Sequence, residues 1–221
     1  MGSWKALLLD FDGTLVDSER LASDAIENVF RQNQWPFKVV YRDAIVGRTW
    51  DAAMATLKQD FPHLDMQVLK KALKSEYKRL RDLGVPLVPG VVPALKELHL
   101  HYPLAIVTGS ERDEVEDLLV HHGLDRWIHS IYAAGEYPGS KPMPEPYLYA
   151  IERLGLKHDE VLAFEDSPAG IQSVISAKIP FIHIRHCSPI KDAHPSALAA
   201  FHDWTEITVD RLTELGKRFP R

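Results

Sequence analysis

Apolar residues fall along this chain in two different rhythms, and the change between them divides it. The opening run, Lys5-Ala-Leu-Leu-Leu, is unbroken and short, as a strand buried on both faces is. From Ser18 the spacing becomes helical. Leu21, Ala25, Ile26, Val29 and Phe30 form one stripe, which Trp35-Pro36 ends. A second helix is predicted from Trp50 to Gln59. A third starts at the N-cap Asp65 and runs through Leu69, Leu73, Tyr77 and Leu80 to Gly84. No strand signal interrupts them, so residues 16–84 read as one all-helical insertion.

Beyond Val88-Pro89-Gly90 the two rhythms alternate. A helix with Val92, Leu95 and Leu98 leads to the strand Leu104–Thr108. Ser110-Glu-Arg-Asp113 reads as a capping box opening a helix that Gly123 closes. Further strands are predicted at Ser130–Ala133, Val161–Glu165 and Phe181–Arg185, separated by helical segments. Alternating strand and helix implies a parallel sheet covered on both faces. The predicted fold is α/β: a Rossmann-like, doubly wound core of residues 1–15 and 85–221, with the helical insertion after its first strand.

Composition narrows the function. The 221 residues carry a net charge of -5, which gives no electrostatic case for nucleic acid or an anionic membrane. No stretch approaches the ~18 apolar residues of a membrane span. The single cysteine, Cys187, excludes an intrachain disulfide framework within this sequence, and the strand expected so soon after Met1 gives the expectation of no signal peptide. The expectation is a soluble cytoplasmic protein, a monomer or a weak dimer.

Candidate chemistry sits where predicted strands end, since ligands of open parallel sheets collect at the carboxyl ends. The first strand delivers Asp10 and Asp12, two residues apart and so on one side, followed by Gly13. By itself this Asp-x-Asp-Gly could open a calcium loop or a polar turn, although the later acceptors and distal Glu of an EF-hand are missing. The next strand ends in Thr108-Gly109-Ser110 and a later one in Glu165-Asp166-Ser167, while Lys141 precedes a helix. Four carboxylates, two hydroxyls and an ammonium, with no His or Cys, suit phosphoryl transfer assisted by Mg²⁺, a hard cation that prefers oxygen.

Four motifs in order resemble those of the haloacid dehalogenase superfamily: Asp10-Phe-Asp12-Gly-Thr14, Val107-Thr108-Gly109-Ser110, Lys141-Pro142 with Pro144-Glu-Pro-Tyr, and Phe164-Glu165-Asp166-Ser-Pro-Ala-Gly170. Within it, the chain is similar to the β-phosphoglucomutase-like phosphatases with a helical cap. The resemblance implies a nucleophile at Asp10, an acid and base at Asp12, and phosphoryl binding by Thr108 and Lys141. It implies Mg²⁺ held by Asp10, Asp166, Glu165 and, through its backbone carbonyl, Asp12. Gly109 and Ser110 would add contacts to a small phosphorylated substrate, as would Arg48 and Trp50 of the cap and Arg112. The implied activity is phosphate-ester hydrolysis, with a sugar phosphate the expected substrate. A phosphomutase of the same fold and a catalytically inactive phosphometabolite-binding regulator are the alternatives.

Overall fold

The computed structural model describes residues 4–43 and 50–218. Six short strands form one sheet: β1 (Ala6–Leu9), β2 (Leu104–Val107), β3 (Ser130–Tyr132), β4 (Val161–Glu165), β5 (Phe181–Ile184) and β6 (Ala199–Phe201). Their spatial order is β3-β2-β1-β4-β5-β6, and every pairing is parallel. In register, Leu8 of β1 stands beside Ala105 of β2 and Ala163 of β4.

Burial on both faces explains why the central strands are apolar throughout. On one face Ala6, Leu8, Ala105, Val107, Val161 and Ala163 pack with Tyr147, Ile171 and Val174. These last three come from α7 (Glu145–Leu154) and α8 (Pro168–Ser176). The alternate residues Leu7, Leu9, Leu104, Ile106, Leu162 and Phe164 are equally buried, so the other face is covered too. After β1 the chain builds outward through β2 and β3, then returns to place β4 on the other side of β1. That reversal opens a crevice at the carboxyl ends of β1 and β4.

The chain divides into two compact units, Met1–Val16 with Leu87–Arg221, and Asp17–Pro86. An antiparallel bridge between Val16 and Leu87 keeps both residues with the sheet, so the helical unit starts one residue later and ends two residues later than the sequence pattern suggested. The helical unit contains α1 (Ser18–Gln32), α2 (Val40–Asp43), α3 (Trp50–Asp60) and α4 (Met66–Leu83). Asp17 caps α1 by accepting from the Arg20 amide, and Asp65 caps α4 by accepting from Gln67 and Val68. Ile26, Phe30, Leu57, Leu69 and Leu73 fill its core. Phe30 meets Trp35, Phe37, Tyr41 and Phe61 with ring centroids 5.2–6.0 Å apart. The helix α2 was not predicted, because one turn is too short to display a period.

Three further helices complete the sheet unit: α5 (Val91–Leu98), α6 (Arg112–His122) and α9 (Val209–Arg218). Strand β6 was also missed. Its three residues, Ala-Ala-Phe, do not alternate and carry no strand signature of their own.

Candidate active site

Strand β1 ends at Leu9 and hands the chain to Asp10, whose amide donates to the Phe164 carbonyl of β4 at 3.0 Å. The backbone bond continues the sheet while the carboxylate enters the crevice, where it is buried. Lys141 meets it there. The ammonium donates to Asp10 Oδ1 at 2.5 Å, to Glu165 Oε1 at 2.6 Å and to the Val107 carbonyl at 3.0 Å, which uses all three protons. Tyr147, buried on α7, donates its hydroxyl to the same Glu165 oxygen at 2.6 Å. Its ring centroid lies 5.1 Å from Lys141 Nζ.

Lys141 bonds two members of a cluster of three carboxylates. Asp10, Glu165 and Asp166 each present an oxygen within 4.8 Å of the others, and all three residues are buried. Burial raises the Asp10 pKa to about 6, Glu165 pushes it the same way, and Lys141 opposes both. Burial also works against the Lys141 charge, but Asp10 and Glu165 outweigh it and hold that pKa well above its usual value. Lys141 therefore stays cationic. Three buried carboxylates gathered at one point are hard oxygen donors of the kind that fit a divalent cation.

Two glycines make room for the cluster. Gly13 adopts φ +84, a conformation L side chains rarely take, and a Cβ there would overlap Asp166 Oδ2. At Gly170 a Cβ would overlap the Glu165 carboxylate. Space beside both acids is thus kept clear by residues without side chains.

Asp12 is oriented separately. Ser110 donates from Oγ to Asp12 Oδ2 at 2.5 Å, and the Ser110 amide donates to Thr108 Oγ1 at 3.0 Å. This corrects the capping-box expectation. Helix α6 starts one residue further on, with Glu111 at the N-cap and no side-chain cap bond, so the Ser110 hydroxyl serves the strand-end loop instead. Thr108 is buried, and Tyr137 donates its hydroxyl to the Thr108 carbonyl. A Cβ at Gly109 would meet nothing within 4 Å.

The family model for haloacid dehalogenase-like hydrolases matches residues 7–184, most of the chain and every strand end just described except that of β6. The chain belongs to this hydrolase family. It is 28% identical over 183 residues to the fructose-1-phosphate phosphatase YqaB of Escherichia coli K12, covering 82% of this chain and 97% of that one. It is 30% identical over 178 residues to the validoxylamine A 7'-phosphate phosphatase of Streptomyces hygroscopicus subsp. limoneus, covering 80% and 83%. The fold matches the crystal structure of a HAD-superfamily hydrolase, subfamily IA, variant 1, from Geobacter sulfurreducens, with a TM-score of 0.76 and 22% identity over 96% of this chain and 97% of that one.

The structure brings Asp10, Glu165 and Asp166 together at the strand ends with Lys141 from the loop before α7, and links Asp12 and Thr108 through Ser110 on the adjoining loops. The Asp12 carboxylate is not in the acidic cluster; the cluster's side chains are those of Asp10, Glu165 and Asp166. Arg112 is engaged elsewhere. Its guanidinium donates to Glu136 at 2.5 Å, to Glu116 at 2.9 Å and to the Ile131 carbonyl at 2.7 Å, so the expected substrate contact would require breaking that network. Arg48 lies outside the described residues. Trp50 begins α3, and its side chain lies outside them as well.

Three supporting residues were missed. Tyr147 closes the third sequence motif, whose pattern implies no role for it; its contact with Glu165 depends on the first turn of α7 facing the sheet. Ser188 donates to the Asp166 carbonyl at 2.5 Å and accepts from the Ile190 amide at 3.1 Å. With its one proton used, Ser188 must accept from His183 Nε2 at 3.0 Å. His183 Nδ1 then faces the His194 amide at 3.4 Å, as an acceptor. His183 is therefore the neutral Nε2–H tautomer. Burial, with His194 and Arg185 adding, lowers its pKa to about 4. Ser188 belongs to no motif, and a histidine inside a strand looks like filler, so neither carried a signal.

Proposed function

We propose that this chain is a phosphoric monoester hydrolase that acts on a small phosphorylated metabolite, a sugar phosphate, through a phosphoryl-aspartate at Asp10. The observation that carries this is the buried Asp10 carboxylate, held by Lys141 inside a cluster with Glu165 and Asp166. The two curated relatives named above are phosphatases of phosphorylated carbohydrates or their analogues, which supports the same substrate class.

Asp10, Glu165 and Asp166 are the side chains that would hold Mg²⁺, and the family resemblance adds the Asp12 backbone carbonyl. When bound, the ion would offset repulsion between the acids and a phosphate, worth ~4 kcal/mol per charge pair at about 4 Å in an effective dielectric near 20. Lys141 holds Asp10 and, by giving up one of its three present bonds, would bind phosphoryl oxygen together with Thr108. In the first transfer an Asp10 oxygen bonds to phosphorus as the ester oxygen leaves. Asp12, protonated and oriented by Ser110, gives that oxygen its proton. In the second, Asp12 takes a proton from water, the water oxygen bonds to phosphorus, and Asp10 is released with inorganic phosphate. Atoms and charge balance across the pair.

The test is a panel of sugar phosphates including fructose 1-phosphate, assayed for phosphate release with Mg²⁺ and with EDTA. Hydrolysis that needs Mg²⁺, with acid-quenched enzyme carrying substrate phosphate on Asp10, is the expected outcome. Isomerised sugar phosphate without phosphate release would replace hydrolysis by transfer. Release that persists in Asp10→Asn would sink the mechanism.

A further inference from the structure

Strands β5 and β6 pair in register, Ile184 beside Phe201, so the segments that follow them leave the sheet side by side. One carries His186; the other carries His202 and Asp203. A ring nitrogen from each histidine and a carboxylate oxygen of Asp203 all lie within 4.8 Å of one another. The two imidazoles are 5.4 Å apart at 64°, edge to face rather than stacked. Asp203 is fixed before any ligand arrives: its Oδ1 accepts from the Thr205 amide at 2.9 Å and from Thr205 Oγ1 at 2.5 Å. Oδ2 takes no part in that cap. His202 is exposed and gives an ion a route from solvent, while His186 and Asp203 are half-buried.

We propose that His186, His202 and Asp203 form a second cation site, specific for a borderline transition ion such as zinc. Two imidazoles and one carboxylate are the donor set that zinc, cobalt and nickel prefer and Mg²⁺ does not. The hydrogen bonds from Thr205 supply the outer support that ligating carboxylates ordinarily have. Two paired strand ends bring the ligands together, so little ordering is left for binding to achieve. None of the three residues has a part in the proposed hydrolysis.

Zinc binding to the full chain is measured by calorimetry in excess Mg²⁺, with cobalt(II) absorption in the visible as the reporter of imidazole ligation. One zinc per chain is expected, undisplaced by Mg²⁺. His202→Ala and Asp203→Asn should each weaken it at least about tenfold, without changing Mg²⁺-dependent hydrolysis of p-nitrophenyl phosphate in zinc-free buffer. Asp166→Asn should leave the zinc titration as in wild type. Equal zinc affinity in His202→Ala and wild type would overturn the proposal, and so would loss of the zinc in Asp166→Asn alone.

Discussion

The centre and the edge of the sheet's carboxyl end follow one topological rule and reach different chemistry. At the centre, β1 and β4 are buried on both faces, and the acids beyond them are buried as well. They are hard oxygen donors, two of them bonded to Lys141, with Gly13 and Gly170 clearing space. At the edge, β6 is three residues long and only partly buried, and the segments after β5 and β6 carry two imidazoles and a carboxylate at half-buried or exposed positions. Burial makes the difference. Carboxylates gathered in a buried site gain from a cation beside them, whereas a half-exposed imidazole pair keeps contact with water and has less to gain.

That contrast can be broken most forcefully at Asp10. Replacing it with Asn keeps the shape and removes the nucleophile, so turnover of p-nitrophenyl phosphate should fall by at least about a thousandfold. The same replacement should leave zinc binding at the edge unaltered; a joint loss would merge the two sites.

A smaller effect belongs to His183, which lies between them on β5. Its folded pKa, about 4, is below the ordinary value of about 6.5, so the stability it protects is fully present above pH 6.5 and is lost as pH falls toward 4. Over that window the loss should reach about 3 kcal/mol. Urea unfolding of wild type and His183→Gln at pH 7.5 and pH 4.5, with the difference between the two proteins taken at each pH, checks it. Parallel curves would show that the buried ring does not titrate on unfolding.

Smaller again is Ser188→Ala, which removes the donor to the Asp166 carbonyl. The Mg²⁺ concentration for half-maximal hydrolysis should rise about 10-fold to 100-fold, the usual consequence of losing a group behind a metal ligand. Turnover at saturating Mg²⁺ should change far less; the reverse pattern would place Ser188 in the chemistry itself. Least of all, His202→Ala should alter hydrolysis not at all when zinc is absent.

The centre was legible in the sequence because each acid ends an apolar run, and period changes mark such ends. Asp10, Glu165 and Asp166 could be read that way, as could Thr108 at the end of β2. Lys141 stands outside any strand and could be read only from its place before a helix and from the ammonium that the acids need; the resemblance then gave it a role. The edge was illegible because β6 has no pattern, and without β6 nothing places His202 beside His186. Tyr147, Ser188 and His183 stayed hidden for another reason: their contacts run between elements whose packing no local spacing encodes. Ser110 was misassigned because a hydroxyl after a strand serves a cap and a carboxylate equally well until the helix start is known.

Trp204 joins the active-site loop to the far end of the chain. Its ring stacks on Phe164 at 4.8 Å and 20°, and its Nε1 donates to the Thr14 carbonyl at 2.7 Å. Thr14 in turn donates to Asp166 Oδ1 at 3.2 Å. The span matched by the family model ends at residue 184, twenty residues short of this indole. A fragment trimmed to that span would retain every signature acid and lack the buttress beneath them, so competence here is decided partly by a stretch that no motif search would inspect.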